Sequence, residues 1–152
     1  MLVGHSYGGM VVTGVADRLA NRIKRLIYLD AFVPENGESA QAAMGGNRGP
    51  RRSTNGFISL GDQTGKPPPH VVPQSEKTFT QPIELAHQDE ARRLPTTYIL
   101  TVDPGKSAEQ DGFFRFYERA KARDWDTEIM TGDHVVHLSK TEELAQRLEK
   151  AL

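Results

Sequence analysis

Short apolar runs alternate with amphipathic stretches along this chain. Leu2-Val3 reads as the end of a buried strand, and Gly4 to Gly8 as a turn. From Gly9 to about Asn21, Met10, Val11, Val15, Ala16 and Leu19 recur among polar Asp17 and Arg18, which predicts a helix with small and apolar faces. Arg25-Leu26-Ile27-Tyr28-Leu29 is a short apolar run bounded by charge, the pattern of a strand covered on both faces. Strand, sharp turn, helix and strand in that order predict one right-handed crossover unit of an α/β protein.

The pattern changes over about residues 34–92. Gly45-Gly46-Asn47-Arg48-Gly49-Pro50-Arg51-Arg52 and Pro67-Pro68-Pro69 are turn and extended material, with helix predicted near Ser39 to Met44 and Pro82 to Arg92. A structureless loop of that length does not suit a compact domain, so the stretch reads as an inserted lid with short elements of its own. Regular alternation resumes at Thr96 to Thr101, a strand. Ala108 to Arg123 reads as a helix carrying Phe113, Phe114, Phe116 and Tyr117, and Asp126 to Met130 as a short strand. Ser139 to Leu152 reads as a final helix, with Ser139 as N-cap, Glu142 completing a capping box, and Leu144, Leu148 and Leu152 along one face.

Composition narrows the function classes. The length of 152 residues suits a single domain, and a net charge of −1 gives no broad attraction for nucleic acid or anionic lipid. Cysteine is absent, which excludes disulfides and thiol chemistry. No apolar run approaches a membrane span, and the N-terminus lacks the basic start of a signal peptide. The expectation is a cytoplasmic protein with no cofactor, no metal, no nucleic-acid partner and no membrane partner.

Candidate chemistry starts at Gly4-His5-Ser6-Tyr7-Gly8, a G-x-S-x-G match placed between a strand and a helix. Such a sharp turn lifts a serine hydroxyl above the sheet, and small residues let strand and helix approach. A neutral serine is a poor nucleophile and needs a base with a group to orient it. In this arrangement the chain order is serine, acid, histidine, the last two on loops after later strands. Asp103 follows the strand ending at Thr101, and His134 follows the strand ending at Met130. Asp30 is a rival acid, because it ends the strand after the elbow helix. Pro104-Gly105, directly after Asp103, departs from the usual surroundings of the acid. Among the other histidines, His5 reads as local packing, His70 and His87 as lid residues, and His137 as a packed residue; a His134–His137 pair lacks a third metal ligand. Asp133 reads as a loop residue. Gly61 to Lys66 falls one residue short of a phosphate-binding loop, and Arg48, Arg51 and Arg52 read as a solvated cluster.

The stretches "LVGHSYGGMVVTGVADRLANRIKRLIYLDAFVPENGES", "LPTTYILTVD" and "GDHVVHLSKTEELAQRLEKAL" resemble the C-terminal part of an α/β-hydrolase, close to the group of methylesterases, hydroxynitrile lyases and their bacterial relatives. The resemblance implies a mostly parallel sheet flanked by helices with an inserted lid, one domain over residues 1–152. It implies Ser6 as nucleophile, Asp103 as acid, His134 as base and the Tyr7 N–H as oxyanion donor. Asp30 becomes an ordinary structural residue in that alignment. The implied activity is hydrolysis of small carboxylic esters through an acyl-enzyme, with a small-molecule ester as the partner. Hydroxynitrile lyases of the group carry Lys just after the histidine; Val135 stands here and argues for ester hydrolysis.

The same resemblance leaves the strands that would lie beside the elbow strand, and the loop that would supply a second oxyanion N–H, without counterparts ahead of Leu2. The expectation is a partial fold whose activity on its own is reduced. An inactive remnant or binding module of the same fold is the alternative. An unpaired sheet edge would favour self-association.

Overall fold

Residues 1–46, 53–59 and 72–151 are described by a computed structural model. The Arg48, Arg51 and Arg52 cluster, the Gly61 to Lys66 stretch, His70 and Leu152 lie outside them. The chain opens with strand β1 (Leu2–Ser6), helix α1 (Gly8–Leu19) and strand β2 (Leu26–Ala31). The stretch expected to form a lid follows, with helix α2 (Ala40–Ala43), strands β3 (Ser53–Thr54), β4 (Phe57–Ile58) and β5 (Gln74–Ser75), and helices α3 (Lys77–Thr80) and α4 (Gln88–Ala91). Strand β6 (Thr96–Val102), helix α5 (Phe114–Lys121), strand β7 (Asp126–Thr131) and helices α6 (Val136–Ser139) and α7 (Thr141–Lys150) complete it.

β1, β2, β6 and β7 form one sheet in that order, every pair parallel. Every residue of β2 and of β6 is buried. Covering on both faces explains why Leu26–Leu29 and Tyr98–Leu100 are continuously apolar rather than alternating. On one face Tyr28, Tyr98 and Leu100 pack with Met10, Val12 and Ala16 of α1 and Phe116 and Ala120 of α5. On the other, Ile27, Leu29, Ile99 and Met130 pack with Val136 and Leu144 of α6 and α7. β7 is largely accessible, in keeping with its edge position. The lid stretch contributes a small antiparallel sheet, β3-β4-β5, and its Ser39 accepts the Ala42 N–H as the N-cap of α2.

The elbow strand differs from the sequence reading, because β1 continues through Gly4 and His5 to Ser6 in place of the expected turn, and three helix boundaries differ as well. The expected helix from Ala108 to Arg123 is split: a 3-10 turn covers Ala108–Gln110, and α5 starts only at Phe114. Asp111 Oδ1 accepts the Phe113 N–H at 2.7 Å, a local turn that competes with the helix. Ser139 is not an N-cap, because its hydroxyl is turned back to Asp133 Oδ1 at 3.0 Å, and α7 begins at Thr141 with no side-chain cap. Between Pro82 and Arg92 only the single turn of α4 is helical.

The glycines of the first turn have unequal roles. A Cβ on Gly9 would stand 2.0 Å from the Phe32 carbonyl oxygen, just past β2; one on Gly4 would stand 2.7 Å from Val12 Cγ2. Gly8 has open space. α1 can therefore sit against the end of β2 only if Gly9 lacks a side chain. Gly9→Ala is expected to destabilise the protein by about 3 kcal/mol or more. Gly8→Ala should change stability by less than about 1 kcal/mol. Urea denaturation of the two variants checks both.

Candidate active site

Strand geometry brings the first two site residues together. Ser6 ends β1 with φ 54°, and Asp30 lies near the end of β2 with φ 44°. Both are left-handed conformations that ordinary side chains adopt only when their surroundings enforce them. The β1–β2 register shifts between His5 and Ser6, so that Ser6 stands opposite Ala31, and the Phe32 N–H bonds the Ser6 carbonyl at 3.1 Å. Tyr7 follows at the mouth of α1 and its carbonyl accepts the Met10 N–H. Its own amide precedes the first intrahelical bond, where N–H groups have no helical partner.

His134 arrives from the loop after β7. That loop is tied to the sheet by the Gly132 N–H on the Val102 carbonyl at 2.9 Å. His134 Nε2 lies 2.9 Å from Ser6 Oγ, and its Nδ1 lies 2.5 Å from Asp30 Oδ2. The second Asp30 oxygen accepts the Thr101 N–H at 3.2 Å. Asp30 is only 1% exposed, so both of its oxygens are satisfied within the fold. With a carboxylate on Nδ1, that nitrogen carries a proton, and Nε2 of the neutral ring is left to accept from the serine hydroxyl.

Asp103 is a correction. It does not reach His134; its carboxylate pairs with Lys106 Nζ at 2.8 Å on the exposed surface, in a turn closed by the Lys106 N–H on the Asp103 carbonyl. Asp103 lies just beyond β6, whereas Asp30 lies within β2, which neighbours β1. The signal for Asp30 was present in the sequence. It is the one charged residue in Leu26 to Val33, a run buried along its whole length. A carboxylate in such a run requires an internal partner.

The environment tunes the imidazole. The hydrogen bond to Asp30 raises the His134 pKa above 6.5; burial opposes this, and the charges of Asp30, Asp111 and Asp133 add to it. Burial raises the Asp111 carboxyl above its usual range. The Phe113 ring stacks on the imidazole at 4.9 Å between centroids, 18° from parallel. His137, expected as a packed residue, is exposed, although its ring touches that of His5 at 4.8 Å. His87 is exposed in the lid stretch, 3.7 Å from Asp17. Asp133 caps its own loop through the Val135 N–H. Among the described residues no group of three or more His, Asp or Glu side chains is placed to hold a metal ion.

A cleft of about 480 Å³ opens beside Ser6. Tyr7, Phe32, Phe113, Phe79, Met44 and Ile58 supply its apolar wall, with Gln41, Gln74 and Thr80 among its polar groups. Tyr7 meets Phe32 and Phe79 at ring distances of 6.3 and 6.0 Å, so the lid stretch and the elbow share one aromatic surface. Among the described residues no helix is long and apolar enough to cross a membrane.

Because Asp30 favours the protonated imidazole, Asp30→Asn should lower the His134 pKa and Asp103→Asn should leave it in place. NMR titration of the His134 ring protons checks this. The sign for stability follows from the raised value. His134 contributes stability fully below about pH 6.5, and that contribution is lost as pH rises through its folded-state pKa.

Comparison with known proteins agrees with this architecture. Over 44 residues the chain is 68% identical to a carbendazim hydrolyzing esterase from Nocardioides sp., covering 29% of this chain and 18% of that protein. It is 27% identical over 164 aligned positions to a probable hydrolase, R7, from Phoma sp., covering 95% of this chain and 66% of that protein. A methylesterase from Arabidopsis shares the fold with a TM-score of 0.64 and 19% identity, over 100% of this chain and 70% of that one. The chain thus spans about two thirds of the length of the relatives that align along most of it. The sequence profile that matches residues 1–147 is that of the alpha/beta hydrolase family, and the chain belongs to that family.

Proposed function

We propose that the protein is a serine hydrolase of carboxylic esters, with Ser6 as nucleophile, His134 as general base and Asp30 as the acid that orients it. The observation that carries the reading is the continuous relay from Ser6 Oγ through both ring nitrogens of His134 to Asp30, with contacts of 2.9 and 2.5 Å. His134 Nε2 takes the proton as Ser6 Oγ attacks the ester carbonyl, and Asp30 stabilises the imidazolium that forms. The oxyanion receives the Tyr7 N–H, the amide directly after the nucleophile. Collapse of the tetrahedral intermediate expels the alcohol, which takes the proton from His134. Water then attacks the acyl-enzyme with His134 again as base, releasing the acid and restoring Ser6.

The aromatic wall around Ser6 suits small apolar or aromatic esters. Ester hydrolysis is also the activity in the names of the Nocardioides and Arabidopsis relatives. The residue after the histidine is Val135, which cannot stabilise a departing anion, and this favours hydrolysis over lyase chemistry.

A fluorophosphonate probe tests the reading without requiring the natural substrate. The protein should be labelled on Ser6, and labelling should fall to background in Ser6→Ala and His134→Ala, with circular dichroism showing both variants folded. A folded parent protein that takes up no probe would contradict the proposal.

A further inference from the structure

We infer that His5 is a positioning residue for the proposed hydrolysis, gripping the backbone of His134 while the neighbouring Ser6 engages its ring. The inference rests on the reading of Ser6 and His134 given above. Two consecutive residues of β1 hold the two ends of one histidine. Ser6 Oγ meets the ring at Nε2, 2.9 Å away, and His5 Nε2 meets the His134 carbonyl oxygen at 2.7 Å. A carbonyl can only accept, so His5 Nε2 carries the proton and donates it.

This contact spans 129 residues of sequence and joins the strand of the nucleophile to the loop of the base. The rest of that loop is held differently: Gly132 is anchored on β6, the Val135 N–H and the Ser139 hydroxyl bond to Asp133 within the loop, and the Val135 carbonyl accepts the Leu138 and Ser139 N–H groups at the start of α6. Among the described residues, His5 is therefore the hydrogen-bonding link from β1 to the backbone at His134. The catalytic hydrogen bond tolerates little displacement, because proton transfer requires a heavy-atom distance of about 2.6–3.2 Å.

The ring of His5 also lies 4.6 Å from that of His134 and 4.8 Å from that of His137. A second positive charge at that distance would oppose formation of the imidazolium. Burial lowers the His5 pKa, while the hydrogen bond to Asp30 raises that of His134, so His134 takes up a proton first as pH falls. The charged or titratable groups around His134 are Asp30 of β2, Asp111 before α5, Asp133 of its own loop and His5 of β1; His137 of α6 adds to the field at His5. His5 thus donates its hydrogen bond as a neutral side chain through the range in which His134 works.

The test compares His5→Phe, which keeps a ring but removes the donor, with His5→Gln, which keeps a donor but removes the ring. Steady-state hydrolysis of p-nitrophenyl acetate, measured across pH, is the readout. We expect His5→Phe to lower kcat at least 10-fold with KM changed less than about 3-fold, as for loss of a group that positions the base. The acid limb of kcat/KM should move to lower pH as the His134–Asp30 contact loosens, and His5→Gln should recover most of kcat. Unchanged kcat and pH profile in His5→Phe would overturn the inference, as would recovery by Phe and not by Gln, the signature of packing alone. If His5→Phe does not fold, His5→Gln decides: kcat and the acid limb near the parent's support the donor role, and a large loss of kcat in the folded variant refutes it. Fluorophosphonate labelling of the parent separates the two claims. An unlabelled parent removes the hydrolase reading itself, whereas a labelled parent with an indifferent His5→Phe removes only the role of His5.

Discussion

The hydrogen bond between Asp30 and His134 joins two parts of the chain separated by 104 residues, and the geometry around it is arranged to keep it. Asp30 sits inside a strand buried along its whole length, where an unpaired carboxylate would be costly. Its two oxygens are occupied by the imidazole and by the Thr101 amide. β2 leaves its regular pairing with β6 after Leu29, and side chains take over there. Tyr98, fully buried, accepts the Ala31 N–H through its hydroxyl oxygen at 3.2 Å and donates to the Ala31 carbonyl at 2.9 Å. The backbone of Ala31 is thereby satisfied without regular pairing to β6, and Asp30 can hold its left-handed conformation.

The same departure from regular pairing governs Ser6. Its left-handed turn follows the register shift against β2, and Gly9 lets α1 approach the chain at Phe32. Ser6 and Asp30 are thus positioned by two adjacent strands. The imidazole comes from a loop and is fixed by contacts: Asp30 on Nδ1, Phe113 against the ring, His5 on the backbone carbonyl. The strands fix the distances among Ser6, His134 and Asp30, while the stretch between β2 and β6 supplies Phe79, Met44 and Ile58 to the wall of the cleft.

Much of this was legible in the amino-acid sequence because the signals were local. Leu26 to Leu29 and Tyr98 to Leu100 are continuously apolar, as strands covered on both faces require, and the glycines at 4 and 9 mark the close approach of strand and helix. Ser6 and His134 followed from their positions after strands. The acid was not legible from chain order, since Asp30 and Asp103 both lie between Ser6 and His134 and both stand near strand ends. Spatial adjacency separates them: β2 lies directly beside β1, and Asp103 closes an exposed turn with Lys106. Burial of the whole Leu26 to Val33 run was the stronger clue. The helix boundaries near Asp111 and Ser139 failed for a related reason, because side-chain hydrogen bonds to Phe113 and Asp133 outcompete helical continuation.

The account turns on which aspartate serves the imidazole, so the most direct measurement is kcat/KM for Asp30→Asn and Asp103→Asn side by side on one activated ester. Replacing the orienting acid by an amide presents the wrong hydrogen-bonding partner to Nδ1 and costs about 10⁴-fold in the best-studied serine hydrolases. The account predicts a loss approaching that size for Asp30→Asn and a change within about 3-fold for Asp103→Asn, an exposed residue paired only with a lysine. The reverse order, or equal and small effects in two folded variants, would contradict it.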